Sequence, residues 1–347
     1  MTQRVAVLTG GGDCPGLNSV IRAVTKRALS HGFEVLGLLD GWEGLLEQRY
    51  RTLGHAEVSG IIHLGGTILR TSRTNVLKDE DTIQKAFKSY KDLNLNGLIA
   101  VGGEGTLTVS SKLFERGMNL VGVPKTIDND ISVTDFTVGF NTAVEIATEA
   151  IDRLRTTAES HKRVMVVEVM GRHAGWIAAY SGIACGADAV IVPEFSTKVE
   201  DLCETIRKRL QRGKNYALVV VAEGAKISFE GKEFSISKDR KDAFGRRQLG
   251  GIGQALSNLV EDETGIECRV TVLGHIQRGG SPTAWDRVIG TRLGSFAADL
   301  VNEKKWGHMA AFTGNNLQAV TLASAVGNLK GVDKETWALL QSFIGET

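Results

Sequence analysis

The sequence predicts a doubly wound α/β fold with mainly parallel sheets. Short apolar runs rich in β-branched residues alternate along the chain with amphipathic segments of helix length. The runs expected as buried strands are RVAVLT, FEVLGLL, GLIAVGG, LVGVPKT, VMVVEVM, AVIVPE, YALVVVAEG and RVTVLG. Because these runs are continuous and rich in β-branched residues, they indicate parallel strands covered on both faces by helices. The covering helices are expected at residues 19–30, 106–116, 141–156 and 199–212.

Length and charge limit the organisation and the partners. The 347 residues exceed what one hydrophobic core usually serves, so we expect two lobes. The 41 Lys and Arg balance 40 Asp and Glu, which leaves no basic excess for nucleic acid or an anionic membrane. The four cysteines lie far apart, without a zinc or CxxC spacing. With no signal-peptide pattern and no apolar run of about 18 residues, a cytoplasmic protein is expected.

Two glycine loops follow predicted strands, at the sheet edge where open α/β sheets bind ligands. The first, GGGDCPGLN at residues 10–18, could hold an anion on its amides, although a structural turn would look similar. A dinucleotide site is disfavoured because the GxGxxG spacing is not met. Such a site would also need a ribose-binding acid, for which Asp40 is the best candidate. In the second, GGEGT at residues 102–106, Glu104 could reach a magnesium ion or simply begin a helix.

A pair of acids follows the second loop by about twenty residues. In PKTIDND, residues 124–130, Asp128 and Asp130 are two apart and project to the same side of an extended segment. One acid can take a hydroxyl proton while the other orients a partner; a pair of Asx turns is the alternative. Together with the glycine loops, this pair predicts metal-assisted phosphoryl transfer, that is, kinase-type chemistry.

Five motifs in order closely resemble the 6-phosphofructokinase family over nearly the whole chain. They are GGGDCPGLN, GGEGT, PKTIDND, VVEVMGRHAGW at residues 166–176 and LGHIQRGGSP at residues 273–282. The resemblance implies transfer of the terminal phosphoryl group of ATP to the 1-hydroxyl of D-fructose 6-phosphate, a step of glycolysis, with Mg²⁺. It also implies two Rossmann-like lobes with an active-site cleft between them. Residues 1–140 with 277–313 would bind the donor, and residues 141–276 with 314–347 the sugar phosphate.

The resemblance assigns the reaction to named residues. Asp128 is implied as the general base, and Arg172 as the arginine that meets the transferring phosphoryl group. Thr126 is expected to touch the sugar, and Asp130 to hold the local charge arrangement. The implied donor-binding positions are Gly11, Arg73, Thr74, Gly103, Glu104, Gly105, Thr106 and Lys125. The resemblance implies Glu104 as the magnesium-linked acid, at a position where ATP-using bacterial members usually carry aspartate.

The resemblance also implies which residues bind the sugar phosphate. Four basic residues are implied for the distal phosphate: Arg163, Arg269, His275 and Arg278. Glu223, Met170 and Gly171 are implied near the sugar, beside Arg172. Taken singly, each basic residue has a structural alternative. Arg163 and Arg269 could form surface ion pairs, His275 could be a hydrogen-bonded histidine at a strand end, and Arg278 could be a turn residue. In the family, the counterparts of Arg163 and Arg269 reach in from a neighbouring subunit, which implies at least a homodimer and, for the family, a homotetramer.

Two sequence positions distinguish the family members that use ATP as the phosphoryl donor from those that use pyrophosphate. ATP users of the family typically have glycine at both, and pyrophosphate users have aspartate and lysine; this chain has Gly105 and Lys125. An aspartate at 105 would place charge where the α-phosphate must pass, so Gly105 favours ATP. Lys125 could pair with a terminal phosphate of either donor. The alternatives are a pyrophosphate-dependent phosphotransferase, a non-catalytic sugar-phosphate sensor and a kinase of another sugar phosphate. The charged stretch 226–247 is expected as a solvated surface insertion.

Overall fold

The computed structural model describes residues 3–234, 237–241 and 247–343. Its strands are β1 Arg4–Thr9, β2 Glu34–Leu38, β3 Tyr50–Thr52, β4 Gly97–Gly102, β5 Leu120–Pro124, β6 Val164–Val169, β7 Ala189–Ile191, β8 Thr197–Lys198, β9 Ala217–Ala222, β10 Ile227–Phe229, β11 Lys232–Phe234, β12 Ser237–Lys241, β13 Arg247–Leu249, β14 Cys268–Val272, β15 His308–Thr313 and β16 Asn316–Thr321. Its α-helices are α1 Leu17–Ser30, α2 Trp42–Leu46, α3 Glu80–Asp92, α4 Glu104–Glu115, α5 Phe140–His161, α6 Trp176–Cys185, α7 Val199–Gln211, α8 Ile252–Thr264, α9 Ala284–Asn302, α10 Leu322–Ala325 and α11 Lys334–Phe343. The α/β class with mainly parallel sheets is confirmed.

The chain divides into two compact units. The first contains Met1–Thr142 and Arg278–Leu329, and the second contains Ala143–Gln277 and Lys330–Thr347. Residues 314–329, which we expected in the second lobe, lie in the first. The reason is that β16 pairs antiparallel with β15 along its length, from His308 opposite Thr321 to Thr313 opposite Asn316. The last strand is therefore an edge of the first sheet.

The sheet of the first unit places both glycine loops side by side. Its order is β16-β15-β5-β4-β1-β2-β3, with parallel pairing except at the two edge strands β16 and β3. Strand β1 lies between β2 and β4, and the chain winds in opposite directions from it. At such a switch point the loops at the carboxyl ends diverge and leave room for a ligand. These loops are the GGG segment after β1 and the GGE segment after β4.

The second unit has a smaller parallel sheet in the order β14-β6-β9-β7. Strands β6 and β9 are buried along their whole length, as their apolar sequences predict. Strand β14 was also expected to be buried, but it is the edge strand, and Val272 at its end is 56% exposed. The charged stretch 226–247 contributes a β10–β11 hairpin that pairs with β8, and the strand β12. Residues 235–236 and 242–246 of that stretch lie outside the described residues.

Among the described residues, none of the helices combines the length and apolarity that crossing a bilayer requires.

Candidate active site

The acid pair lies on the turn that follows β5 in the first unit. Asp128 is 5% exposed, and its backbone N–H donates to Thr126 Oγ1 at 3.1 Å. Within the described part of the chain, no hydrogen-bond donor reaches the buried Oδ1 of Asp128. Buried carboxylate oxygens usually have a hydrogen-bond partner, so this oxygen is an acceptor available to a ligand or a water. Asp128 can therefore accept a proton or a hydrogen bond from a molecule that reaches the turn.

The glycine loop after β1 is held by its neighbours in the same unit. The Gly10 N–H donates to Val101 O at 2.9 Å, which ties the loop to β4. The Gly11 N–H donates to Ser72 O at 3.3 Å, and Gly11 O accepts from Thr71 Oγ1 at 2.6 Å. The predicted donor residues Arg73 and Thr74 thus belong to a segment that flanks the loop. Arg73 is exposed, and Ser72 Oγ contacts Thr74 Oγ1 at 3.1 Å.

Thr106 separates the two glycine loops. A methyl group on Gly10 would lie 2.5 Å from Thr106 Oγ1, and one on Gly102 would overlap the same side chain. Only glycine fits at these two positions, because the backbone approaches the threonine too closely for any Cβ. Thr106 is 5% exposed in the first turn of α4. Its side chain fills the space between the loops, and its predicted contact with the donor stays a prediction.

Helix α4 begins at Glu104, next to the acid turn. Gly103 precedes the helix, and a Cβ built there would lie 3.4 Å from Lys125 O and 3.6 Å from Thr126 Cβ. The free N–H groups and the dipole of a helix N-terminus favour an anion such as a phosphate. The predicted donor positions Gly103, Glu104 and Gly105 therefore lie where a phosphate would be stabilised.

The residues of this helix start fit a magnesium ion shared with a substrate. Among the described residues, no three His, Cys, Asp or Glu side chains converge to form a metal cage. Magnesium in phosphoryl-transfer sites is usually held by one or two carboxylates together with substrate phosphates and water. A single carboxylate at position 104, at a helix start suited to phosphate, matches that donor set. When bound with the donor, the ion would neutralise charge on the phosphates.

Lys125 is buried between the acid turn and the first glycine loop. It is 3% exposed, and its Nζ donates to Gly10 O at 3.1 Å and Gly12 O at 2.5 Å. Burial lowers the pKa of Lys125 below its ordinary value, with nearby Arg278 acting in the same direction. The ammonium thus holds the loop carbonyls. Its predicted contact with a donor phosphate stays a prediction.

Arg278 lies with the first glycine loop. Its Nη1 donates to Asp13 O at 3.3 Å, and a methyl group on Gly12 would lie 2.7 Å from the same nitrogen. Arg278 belongs to the first unit, whereas the other three residues predicted for the distal phosphate belong to the second. Its assignment to that phosphate stays a prediction. The observed contact is with the loop after β1.

In the second unit, the loop after β6 is packed against the end of β9. Arg172 has φ of 52°, and its N–H donates to Glu223 Oε1 at 3.2 Å. The Glu223 N–H donates to Val169 O at 2.8 Å, and a Cβ on Gly224 would overlap Arg172 O. Glycine at 224 is therefore required for the close approach of these two backbone segments. The predicted sugar-binding residues Met170, Gly171, Arg172 and Glu223 lie together on these two strand ends.

Two of the arginines predicted for the distal phosphate pair with one acid. Arg163 Nε contacts Glu267 Oε2 at 2.6 Å, and Arg269 contacts the other carboxylate oxygen of Glu267. The hydrogen bond from Arg163 lowers the pKa of Glu267. His275 is exposed after β14. Within this chain the two arginines form ion pairs, which was the structural alternative, and a phosphate that binds them would compete with Glu267.

Two buried acids were missed by the sequence analysis. Glu168, 2% exposed in β6, accepts hydrogen bonds from Gly251 N at 3.1 Å and Gly253 N at 2.8 Å, at the start of α8. Asp286, fully buried, accepts from Gly139 N at 2.9 Å and Thr142 N at 2.8 Å, at the start of α5. Burial raises the pKa of Asp286. The charged residue inside the apolar run VMVVEVM was the available signal for Glu168.

Comparison with known proteins identifies the family. Mainly parallel sheets with glycine loops and a buried acid at their strand ends define an α/β protein of the kind that binds ligands at those ends. The Phosphofructokinase family model matches residues 4–301. The chain belongs to the phosphofructokinase family.

Similar proteins carry two kinds of name. The chain is 48% identical to a pyrophosphate–fructose 6-phosphate 1-phosphotransferase of Dictyoglomus thermophilum, over 99% of both chains. It is 52% identical to an enzyme of the same name from Amycolatopsis methanolica, over 99% of this chain and 100% of the other. It is 49% identical to ATP-dependent 6-phosphofructokinase 3 of Streptomyces coelicolor, over 96% and 98%. The family is therefore shown, while the relatives differ in the donor.

Solved structures share the fold. Phosphofructokinase of Pichia pastoris matches with a TM-score of 0.83 and 28% identity, over 100% of this chain and 37% of that chain. A pyrophosphate-dependent phosphofructokinase of Marinobacter aquaeolei matches with a TM-score of 0.81 over 99% and 91%, at 20% identity, which shows the fold alone.

Proposed function

We propose that this chain is an ATP-dependent 6-phosphofructokinase. It transfers the terminal phosphoryl group of ATP to the 1-hydroxyl of D-fructose 6-phosphate, giving fructose 1,6-bisphosphate and ADP. The observation that carries the proposal is the buried, unpartnered Oδ1 of Asp128 on a turn next to the start of α4. A helix start suited to phosphate beside an acid able to accept a proton is what phosphoryl transfer to an alcohol requires.

The proposed reaction moves one proton and one phosphoryl group. Asp128 accepts the proton of the 1-hydroxyl as the sugar oxygen bonds to the γ-phosphorus. The bond between that phosphorus and the bridging oxygen breaks, and ADP leaves. A positioned base of this kind contributes about 10²- to 10⁴-fold to the rate. Thr126 and Asp130 flank the base, and Arg172 stabilises the charge of the transferring group.

The donor and the sugar phosphate have separate proposed partners. The donor is bound by the loop at Gly11, by Arg73 and Thr74, and by the start of α4, where Glu104 would hold magnesium. The proposed substrate residues of the second unit are Met170, Gly171, Arg172, Glu223, Arg163, Arg269 and His275. The Arg163 and Arg269 that complete each site are proposed to come from a second copy of the chain, so the enzyme works as a homodimer or homotetramer.

Gly105 supports ATP as the donor. It lies in the first turn of α4, where an aspartate would repel the α-phosphate of a nucleotide. A pyrophosphate-dependent phosphotransferase is the second candidate, favoured by Lys125 and by relatives of that name. The buried Nζ of Lys125 is engaged by loop carbonyls, which weakens its support for pyrophosphate. A non-catalytic sensor is disfavoured because Asp128 and Arg172 are both present.

The deciding experiment compares initial rates with ATP and with pyrophosphate at matched magnesium and fructose 6-phosphate. We expect kcat/KM to be higher with ATP. The variant Gly105→Asp should lose at least about tenfold in kcat/KM for ATP, because of charge repulsion. Ser59→Asp, at an exposed residue of the same unit, is the control for added charge. A preference for pyrophosphate in the parent would overturn the ATP assignment, and unchanged ATP kinetics in Gly105→Asp would refute its basis.

A further inference from the structure

The turn that carries the two acids has an unusual backbone. Asn129, between Asp128 and Asp130, has φ of 51°. This left-handed conformation is disfavoured for most residues and tolerated best by glycine, asparagine and aspartate. Asn129 is also 1% exposed, so its amide is removed from water. A buried polar side chain in a disfavoured backbone conformation persists only when its surroundings hold it there.

The Asn129 side chain fastens the acid turn to a neighbouring segment. Its Oδ1 accepts from the Thr137 N–H at 3.0 Å, and its Nδ2 donates to Asp135 O at 3.2 Å. Thr137 also bonds to the other end of the turn, because its Oγ1 donates to Thr126 O at 2.6 Å. Both ends of the short stretch from Thr126 to Asn129 are therefore bonded to the same segment, and Asp128 lies between them.

That segment is fixed in turn to the sheet. Thr134 Oγ1 accepts from the Phe312 N–H at 3.0 Å, and the Asp135 N–H donates to Phe312 O at 2.8 Å, at the end of β15. The Phe136 ring packs against Phe312 and Trp285, with ring centroids 6.4 Å and 5.6 Å away. A continuous set of contacts thus runs from β15, through residues 134–137, to the turn that holds Asp128.

We propose that Asn129 and Thr137 are positioning residues that fix the direction of the Asp128 carboxylate. This inference rests on the proposed function, in which Asp128 takes the proton of the sugar hydroxyl. The side chains of Asn129 and Thr137 bond to backbone groups of the turn and of residues 135–137. They act by holding the base on both sides, so that its unpartnered oxygen keeps one orientation.

The first test removes the side-chain hydrogen bonds of Asn129 and keeps its backbone conformation. Asn129→Gly accepts the left-handed conformation but deletes the side-chain hydrogen bonds to Asp135 and Thr137. We expect kcat to fall on the order of 10²-fold, since small displacements of a catalytic group cost that much, while KM for both substrates is unchanged. The control is Asn94→Gly, at an exposed residue of the same unit with φ of 51°, whose kcat should equal that of the parent.

The second test uses a matched pair at Thr137 and does not depend on the first variant folding. Thr137→Val keeps the shape and removes the hydroxyl, whereas Thr137→Ser keeps the hydroxyl bond to Thr126 O. We expect kcat about tenfold lower in Thr137→Val and near the parental value in Thr137→Ser. A role in stability alone would lower the melting temperature of Thr137→Val and leave the kcat of the folded enzyme unchanged.

The outcomes separate this inference from the proposed function. If Asp128→Asn is inactive while folded Asn129→Gly and Thr137→Val turn over at the parental rate, the positioning role is refuted and the base assignment stands. If Asp128→Asn keeps the parental rate, the base assignment itself fails. A raised KM with unchanged kcat in Asn129→Gly also contradicts the inference, because the turn would then serve binding. Loss of kcat in Thr137→Val with recovery in Thr137→Ser supports it.

Discussion

A buried lysine shows how one residue can hold a phosphate-type loop in shape. The Lys125 ammonium is surrounded by protein, and two glycine carbonyls replace the water it has lost. Such a group is costly to bury, and the cost falls when it becomes neutral. The same bonds keep Gly10 and Gly12 close to the end of β5, next to Asp128. The lysine at one of the two donor positions therefore has a structural role, while its contact with a donor phosphate stays a prediction.

The depressed pKa of Lys125 gives a prediction about pH. Below its folded pKa the buried charge destabilises the fold, and the unfolded chain binds the proton more tightly. The free energy of unfolding should therefore rise with pH between the folded pKa of Lys125 and its ordinary value of 10.5. Lys125→Met should lack this rise. It should also be about 1–3 kcal/mol less stable at pH 7, because two loop carbonyls lose their partner.

Urea unfolding of the parent and of Lys125→Met, at several pH values from 7 upward, measures the difference in their free energies of unfolding. Using the difference removes the contributions of groups that both proteins share. A stability difference that does not change with pH would contradict the account of the buried ammonium.

Among the elements, α5 shows that a helix can depend on an acid far away in sequence. The Asp286 carboxylate accepts hydrogen bonds from two backbone N–H groups at the start of α5, and from the Thr142 hydroxyl at 2.5 Å. The carboxylate also lies at the positive end of the helix dipole. Burial makes each of these bonds hard to replace, since no water can reach the donors.

Asp286→Ala should therefore cost more than the loss of an ordinary helix cap. We expect a loss of about 3 kcal/mol in the free energy of unfolding, from donors left without a partner. Asp79→Ala is the matched control, because Asp79 caps α3 through the Thr82 N–H at 2.7 Å while half exposed. It should cost about 1 kcal/mol. Equal losses in the two variants, measured by urea unfolding, would contradict the account.

The elements also show what the sequence can predict. Every run expected as a strand forms one, because short runs rich in β-branched residues pack well on a pleated sheet. The edge strands β3 and β16 were not predicted. β3 has three residues, and β16 alternates between half-buried and exposed positions, so neither has a strong apolar signal. Glu168 and Asp286 were missed for a related reason, since their partners lie 83 to 147 residues away and no local motif records them.

At the scale of the whole molecule, the proposed site depends on assembly. In this chain Arg163 and Arg269 are paired with Glu267, so they contact an acid of their own unit. The proposal assigns them to the site of a second copy, where a substrate phosphate would replace that acid as their partner. The resemblance to the family, carried by motifs elsewhere in the chain, assigned these arginines to the sugar phosphate. Assembly is not encoded in any short motif, because it depends on surfaces from distant parts of the chain.

Mixing two inactive variants tests the shared site. One chain carries Asp128→Asn and the other carries Arg163→Ala with Arg269→Ala. Each alone should have little activity. When they are co-expressed in equal amounts, half of the dimers are hybrids with one intact site, so about a quarter of the parental activity should return. The control is co-expression of each variant with itself. A mixture no more active than its components would contradict the shared site.

The most direct measurement is the rate of fructose 1,6-bisphosphate formation by Asp128→Asn under saturating ATP, magnesium and fructose 6-phosphate. The account predicts that kcat falls by about 10²- to 10⁴-fold, because an amide cannot take the hydroxyl proton. Asp299→Asn, which alters an acid paired with Arg27 on the surface of the same unit, should keep the parental rate. Turnover by Asp128→Asn at the parental rate would contradict the account.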